Sequence, residues 1–167
     1  QAKAEAHNIH ILLAEPRSLI VRLSLAYLKV LIIVAHGPHD SGEGKDGAEE
    51  YWIDIVSACS KWRKPRDRVI LLTDANAQLR GEGLRQVMQA KPFRSALVQM
   101  SLQELTSSPT NQHLGQPIIS YVGKGSASQI DYIAVCPRTD VVKGSARAIE
   151  DFASAADCLD HVPVTVV

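Results

Sequence analysis

The apolar run Val69-Ile70-Leu71-Leu72-Thr73 stops abruptly at Asp74-Ala75-Asn76, and this junction constrains the fold more than any other stretch of the chain. Short apolar runs rich in β-branched residues and bounded by polar ones form buried strands. A carboxylate and an amide just past such a strand rest on a rigid support and face a loop, where binding and catalytic groups are often placed. Asp and Asn also close Asx turns at strand ends, and the pair alone fits a purely structural turn better than a functional one.

The neighbouring segments set the frame around it. Ile9 to Leu13 and Leu19 to Leu25 read as strands on either side of a Glu15-Pro16-Arg17 turn. Val30 to Ala35 is continuously apolar and β-branched, which predicts a central strand buried on both faces. It runs into His36-Gly37-Pro38-His39-Asp40, where Gly and Pro mark a loop. Three strands with short connections imply antiparallel pairing. Trp52, Ile55, Val56 and Cys59 then fall at i, i+3, i+4 and i+7, the stripe of an amphipathic helix with Glu49 and Glu50 near its start. The basic run from Lys61 to Arg68 ends that helix and leads into the Val69 strand, at the far end from Asp74. Solvated cations near a helix C-terminus account for it. Leu84, Val87 and Met88 suggest a short helix and Leu97 to Leu105 another, with a loop from Thr106 to Pro117. Ile118 to Val122, Ile130 to Val135 and Val162 to Val167 read as strands, and Ser145 to Asp157 stays ambiguous. The pattern predicts one strand-rich α/β domain.

A chain of 167 residues with 46% hydrophobic and 22% charged residues can bury a sizeable core. Its 18 basic and 18 acidic residues cancel, so no global field attracts nucleic acid, although a local basic rim or a metal could still hold phosphates. Cys59, Cys136 and Cys158 are odd in number and lack C-x-x-C spacing. They predict buried free thiols in a reducing, intracellular setting with no disulfide partner and no zinc site. No stretch is long enough to span a membrane and no signal peptide is visible. The chain opens on Gln1, within an amphipathic segment, and reads as a piece of something longer.

Asp131 sits in the otherwise apolar Ile130-Asp131-Tyr132-Ile133, where an unpaired carboxylate is costly to bury, so it needs a partner or a cleft. His161 follows Asp160 and precedes Val162-Pro163-Val164, and His36 follows a buried strand. Either histidine alone is more often structural. Together the groups are more specific. An Asp beside a His fixes the imidazole tautomer and raises its basicity. A second carboxylate with an amide can hold a water and a phosphate oxygen, which completes a minimum set for metal-assisted attack on a phosphodiester.

Val34-Ala35-His36-Gly37-Pro38, Ile70-Leu71-Leu72-Thr73-Asp74-Ala75-Asn76-Ala77, Gln129-Ile130-Asp131-Tyr132-Ile133 and Leu159-Asp160-His161-Val162-Pro163-Val164 occur in this order. The series resembles the endonuclease/exonuclease/phosphatase family, which includes deoxyribonuclease I-like enzymes, abasic-site endonucleases and the endonuclease domains of non-LTR retrotransposons. The last group is closest in style, and the resemblance runs from about Leu19 to the C-terminus. It implies an α/β (α+β type) domain over residues 1–167, a two-sheet β-sandwich flanked by helices in four α/β/β/α layers. It also implies a general acid/base at His161 oriented by Asp131. Asp74 would position the water, Asn76 and His36 would contact the phosphate, and Asp160 would lie near a Mg²⁺ or Mn²⁺ ion. Glu15 is at most a weak support for His36.

The departures are Thr73 where the family usually has Gly, Ala75 where an aromatic is common, and Leu159 where Ser usually precedes Asp-His. The family's Asn-bearing first strand and its Gln-Glu strand, whose Glu is the principal metal ligand, have no match between Gln1 and Leu25. The implied fold is therefore incomplete at the N-terminus. The expectation is a DNA endonuclease domain, weakened in this chain, from a retroelement-like polyprotein with a reverse transcriptase. The alternatives are a non-catalytic remnant that binds nucleic acid or protein, and a phosphatase or phosphodiesterase acting on a small or lipid phosphate ester.

Overall fold

The computed structural model describes residues 8–39, 46–80, 84–108, 110–113, 118–123, 126–149 and 161–167. Strands β1 (Ile9–Glu15), β2 (Ser18–Ser24) and β3 (Lys29–His36) form an antiparallel meander. Helix α1 (Asp46–Trp62) crosses over to β4 (Arg68–Asp74), which pairs parallel to β3. A parallel neighbour cannot be reached by a tight turn, and a helix is the usual crossover. Helix α2 (Leu84–Met100) follows, then β5 (Gln103–Glu104), the hairpin of β6 (Tyr121–Gly123) and β7 (Ser126–Ser128), β8 (Asp131–Val135), β9 (Arg147–Ala148) and β10 (Val164–Thr165). The main sheet has six strands in the order β1-β2-β3-β4-β8-β5, and β6-β7 and β9-β10 form two-stranded sheets.

Period-2 alternation sends Ile20, Leu31, Ile33, Val69 and Leu71 to the face covered by the helices, where all five are fully buried. Trp52, Ile55 and Cys59 of α1 and Phe93, Ala96 and Met100 of α2 pack on that face. The Trp52 and Phe93 rings lie 4.7 Å apart, and Phe93 lies 5.4 Å from Tyr132 of β8. Phe93 is fully buried at the centre of this stack, so Phe93→Ala should cost about 3–5 kcal/mol in urea unfolding. A loss below 1 kcal/mol would mean that the helices do not pack as described.

The opposite face is covered in part. Leu105, Ile133 and Val135 pack there with Ile70, Val164 and Val166, whereas Val34 and Leu72 stay 40% and 37% exposed. Val30 to Ala35 is therefore a central strand buried fully on one face only, which corrects the two-faced burial expected from its continuous apolar run. Helix α2 also departs from the sequence pattern, since one helix of 17 residues replaces two short ones. Pro92 lies inside it and removes one backbone donor. The apolar row Phe93, Ala96, Leu97 and Met100 meets the core on one side and holds the helix together across that defect. The strand at Ser126–Ser128 has no apolar alternation that would have announced it.

Arg22 is buried on β2, where its guanidinium donates to the Asp67 carboxylate at 3.1 Å and to the Trp62 carbonyl at the end of α1. Cys59 and Cys136 are buried and free, and Cys158 lies outside the described residues. Among the described residues no helix is long and apolar enough to cross a membrane.

Candidate active site

Register brings the site together. His36 of β3 lies opposite Asp74 of β4, and Asp74 lies opposite Asp131 of β8. Directly opposed residues share a face, so three neighbouring strands present an imidazole and two carboxylates in one row. The row stands at the end of the incompletely covered face. A groove of about 600 Å³ joins it to Arg17, Leu19, Val34, Leu72 and Ile133.

His161 enters from the C-terminal segment. An isolated antiparallel bridge pairs it with Tyr121, whose ring lies 5.2 Å away in an edge-on arrangement. The Val162 N–H donates to the Ser120 carbonyl at 2.7 Å, while the Ser120 hydroxyl oxygen accepts from the N–H groups of Ile130 and Asp131 at 3.1 and 3.0 Å. Ser120 is fully buried and thus ties the His161 segment to the start of β8. Nothing in Ile118-Ile119-Ser120-Tyr121 distinguishes that serine from any other in an apolar strand, and sequence reasoning missed it.

His161 Nδ1 lies 3.0 Å from Asp131 Oδ2, and its Nε2 lies 3.7 Å from Asp74 Oδ2. His36 Nε2 approaches the same Asp74 oxygen at 3.8 Å. With the Nδ1 proton donated to Asp131, the tautomer leaves Nε2 as the free acceptor, facing Asp74. Burial pushes the Asp131 carboxyl above its ordinary pKa. Hydrogen bonds from Ser120 and the nearby His161 pull it down, and the Asp74 charge raises it further. One ligand atom from each of Asp74, Asp131 and His161 falls within 4.8 Å of the others.

Asn76 has a left-handed backbone, φ 48°, which Asn tolerates better than most residues. Its N–H donates to Asp74 Oδ1 at 2.9 Å, so the Asx turn is present. The side chain does something else. Its Nδ2 donates to the Gly37 carbonyl at 2.9 Å, and its Oδ1 lies 3.1 Å from His39 Nδ1. Asn76 is therefore locked to the loop after β3, with one N–H spent. His39 closes the His-Gly-Pro-His segment, whose sequence carries no signal for this contact. That loop approaches the end of β4 closely, because the Gly37 N–H donates to the Asp74 carbonyl at 2.8 Å. A Cβ on Gly37 would meet the Ala75 carbonyl oxygen at 2.6 Å. Gly37→Ala should therefore cost about 1–3 kcal/mol and displace Asn76. Unchanged thermal unfolding would show that the loop has room to spare.

Sequence reasoning placed six residues here, and the structure brings four into direct neighbourhood, namely His36, Asp74, Asp131 and His161. Asn76 is one step away, at the rim. Asp160 lies outside the described residues. Glu15 lines the groove and accepts from the Ser18 hydroxyl at 3.4 Å. Among the described residues it makes no hydrogen bond to His36. Thr73 is buried on β4 with its hydroxyl unpartnered among those residues.

No protein-family model matches the chain, and no curated protein matches it. Solved structures do. The endonuclease domain of TRAS1, a telomere-specific non-LTR retrotransposon, superposes with a TM-score of 0.64 at 16% identity, covering 95% of this chain and 68% of its own. The 3′ phosphatase NExo from Neisseria, bound to a product DNA hairpin, gives 0.68 at 15% identity over 96% of this chain and 70% of its own. A beta toxin from Staphylococcus aureus with bound magnesium ions gives 0.55 at 13% identity over 90% of this chain and 57% of its own. The chain thus spans between 57% and 70% of these proteins. Its mixed α/β layout, with a six-stranded sheet, smaller sheets and two helices among the described residues, is the fold of the endonuclease/exonuclease/phosphatase family.

Proposed function

We propose that the chain carries out metal-dependent hydrolysis of a phosphodiester, with DNA as the substrate. One observation carries this most: His161 is held by Asp131 at 3.0 Å with its other ring nitrogen directed at Asp74. In this scheme His161 Nε2 accepts the proton of the attacking water and later returns one to the leaving oxygen, and Asp131 stabilises the imidazolium in between. Asp74 Oδ2 lies 3.7 Å from that nitrogen and accepts the second hydrogen of a water placed beside both groups. His36 and the unspent N–H of Asn76 face the phosphate oxygens.

The donor set suits a hard cation. Asp74 and Asp131 supply carboxylate oxygens, and Mg²⁺ is commonly held by one or two carboxylates plus substrate phosphate. Bound there, Mg²⁺ or Mn²⁺ would neutralise charge that develops on the phosphate. The set is sparse, because Asp131 is already committed to His161. We therefore expect slow turnover by the isolated chain. A calorimetric Mn²⁺ titration tests the cation site: weak binding should be lost in Asp74→Asn, and identical isotherms for the two proteins would remove the metal from the scheme.

A retroelement polyprotein carrying a reverse transcriptase is the finer setting we favour, supported by the fold shared with the TRAS1 domain. Buried, unpaired Cys59 and Cys136 fit a reducing, intracellular compartment.

A further inference from the structure

The pole of the sheet opposite the site gathers cations that the site does not use. Lys29 opens β3, Arg68 opens β4, Lys61 lies in the last turn of α1, and Lys64 and Arg66 lie between α1 and β4. Val30 pairs with Arg68, so Lys29 adjoins this turn, and Arg138 after β8 donates to the Pro65 carbonyl at 3.0 Å. Lys29, Lys61, Lys64, Arg66 and Arg138 are exposed, and Arg68 is half-buried.

The bland explanation is that cations compensate helix C-termini, since α1 and α2 both end here. That accounts for about half a charge per helix, and two other residues already supply it. Arg22 donates to the Trp62 carbonyl and Arg63 to the Met100 carbonyl at 2.7 Å. The acid within the run is also spent. Asp67 is 3% exposed and accepts from Arg22 and from the Lys64 N–H. Asp140, two residues past Arg138, offsets one charge at most. In a chain of formal net charge zero, six cations from four separate segments of the fold are therefore a segregated surplus. Aromatic rings stand among them. Tyr27 is fully exposed beside Lys29, and Lys61 Nζ lies 4.9 Å over the half-buried Trp62 ring.

We propose that this pole is a second nucleic-acid-binding surface, which holds the backbone of an unpaired strand while the opposite pole cleaves. Cations track phosphates without regard to sequence, and exposed aromatic faces accept bases. Choosing nucleic acid over other polyanions rests on the phosphodiester reading of the site. The two surfaces are separated by the length of β4, about 20 Å at roughly 3.3 Å per residue, so each can be disabled alone.

The test is fluorescence anisotropy of a labelled single-stranded oligonucleotide with the full chain in EDTA, over a salt series. A Lys64→Gln/Arg66→Gln/Arg138→Gln variant should bind at least tenfold more weakly. Its log K against log salt slope should be shallower by about 2, at roughly 0.7 per lost phosphate contact. Acetylation of Lys29, Lys61 and Lys64 in the unsubstituted chain should be suppressed by the oligonucleotide, a readout that does not depend on the variant folding. Unchanged affinity and slope, or unprotected lysines, would overturn the proposal, as would binding to phosphatidylserine vesicles but not to the oligonucleotide. The two readings fail separately. Loss of the pole leaves His161-dependent nicking in place, whereas a failed cleavage scheme leaves the salt slope and the protection intact.

Discussion

Replacing His161 with alanine will lower metal-dependent phosphodiester cleavage by about 10²–10⁴-fold, or to the assay floor, because a positioned proton-transfer group contributes that much. The expectation follows from two contacts. Asp131 at 3.0 Å fixes which ring nitrogen carries the proton, and the other nitrogen faces Asp74 at 3.7 Å. Alanine removes the base and also leaves Asp131 without its partner. The fold should survive, since the His161 side chain is 39% exposed and the Val162 N–H still bonds the Ser120 carbonyl. Single-turnover rates on an activated phosphodiester, with enzyme in excess, measure the drop. A variant cleaving within threefold of the parent chain would move the proton transfer elsewhere, with His36 the next group to examine.

Asp131→Asn will separate activity from stability. The amide oxygen still accepts from His161 Nδ1–H, but it carries no charge to stabilise the imidazolium, so cleavage should again fall by at least about 10²-fold. Stability should move the other way. Burial raises the native Asp131 pKa above the ordinary carboxyl value of 3.8, so the native state holds this proton more tightly than the unfolded chain does. The favourable contribution is fully present below pH 3.8 and is lost as pH rises through the raised native value. At neutral pH the parent chain therefore bears the cost of a partly buried carboxylate, which asparagine avoids. Thermal unfolding of Asp131→Asn at pH 7 should occur at the same or a higher temperature than in the parent, and the gap should narrow as the pH approaches 4. An active-site group that costs stability is a familiar trade-off. A variant that unfolds earlier at pH 7 would instead make the Asp131–His161 contact chiefly structural.

What the sequence disclosed follows from how local each cause is. Strands β1 to β4 and helix α1 were legible because one apolar period governs each. The Asp74, Asp131 and His161 constellation was legible because each group sits at the end of an apolar run, where a polar residue is conspicuous. Helix α2 reads in the sequence as two short helices, one at Leu84, Val87 and Met88 and one over Leu97 to Leu105, and the packing of Phe93, Ala96 and Met100 on the core joins them into one. Ser120 was invisible, since its role depends on residues ten and more positions away. The approach of Gly37 to Ala75 and the pairing of Arg22 with Asp67 are likewise long-range. The basic run reads as a solvated helix end, and Arg63 within it does cap α2, while only the fold brings Lys29 and Arg138 alongside the run.

The most direct measurement is a supercoiled-plasmid nicking time course with the full chain in excess, in Mg²⁺ or Mn²⁺ and in EDTA, run beside His161→Ala. Slow accumulation of open circles with either metal, none in EDTA and none from the variant, is the expected result. Nicking that persists in EDTA, or that His161→Ala performs as fast as the parent chain, would contradict a metal-assisted site built on Asp74, Asp131 and His161.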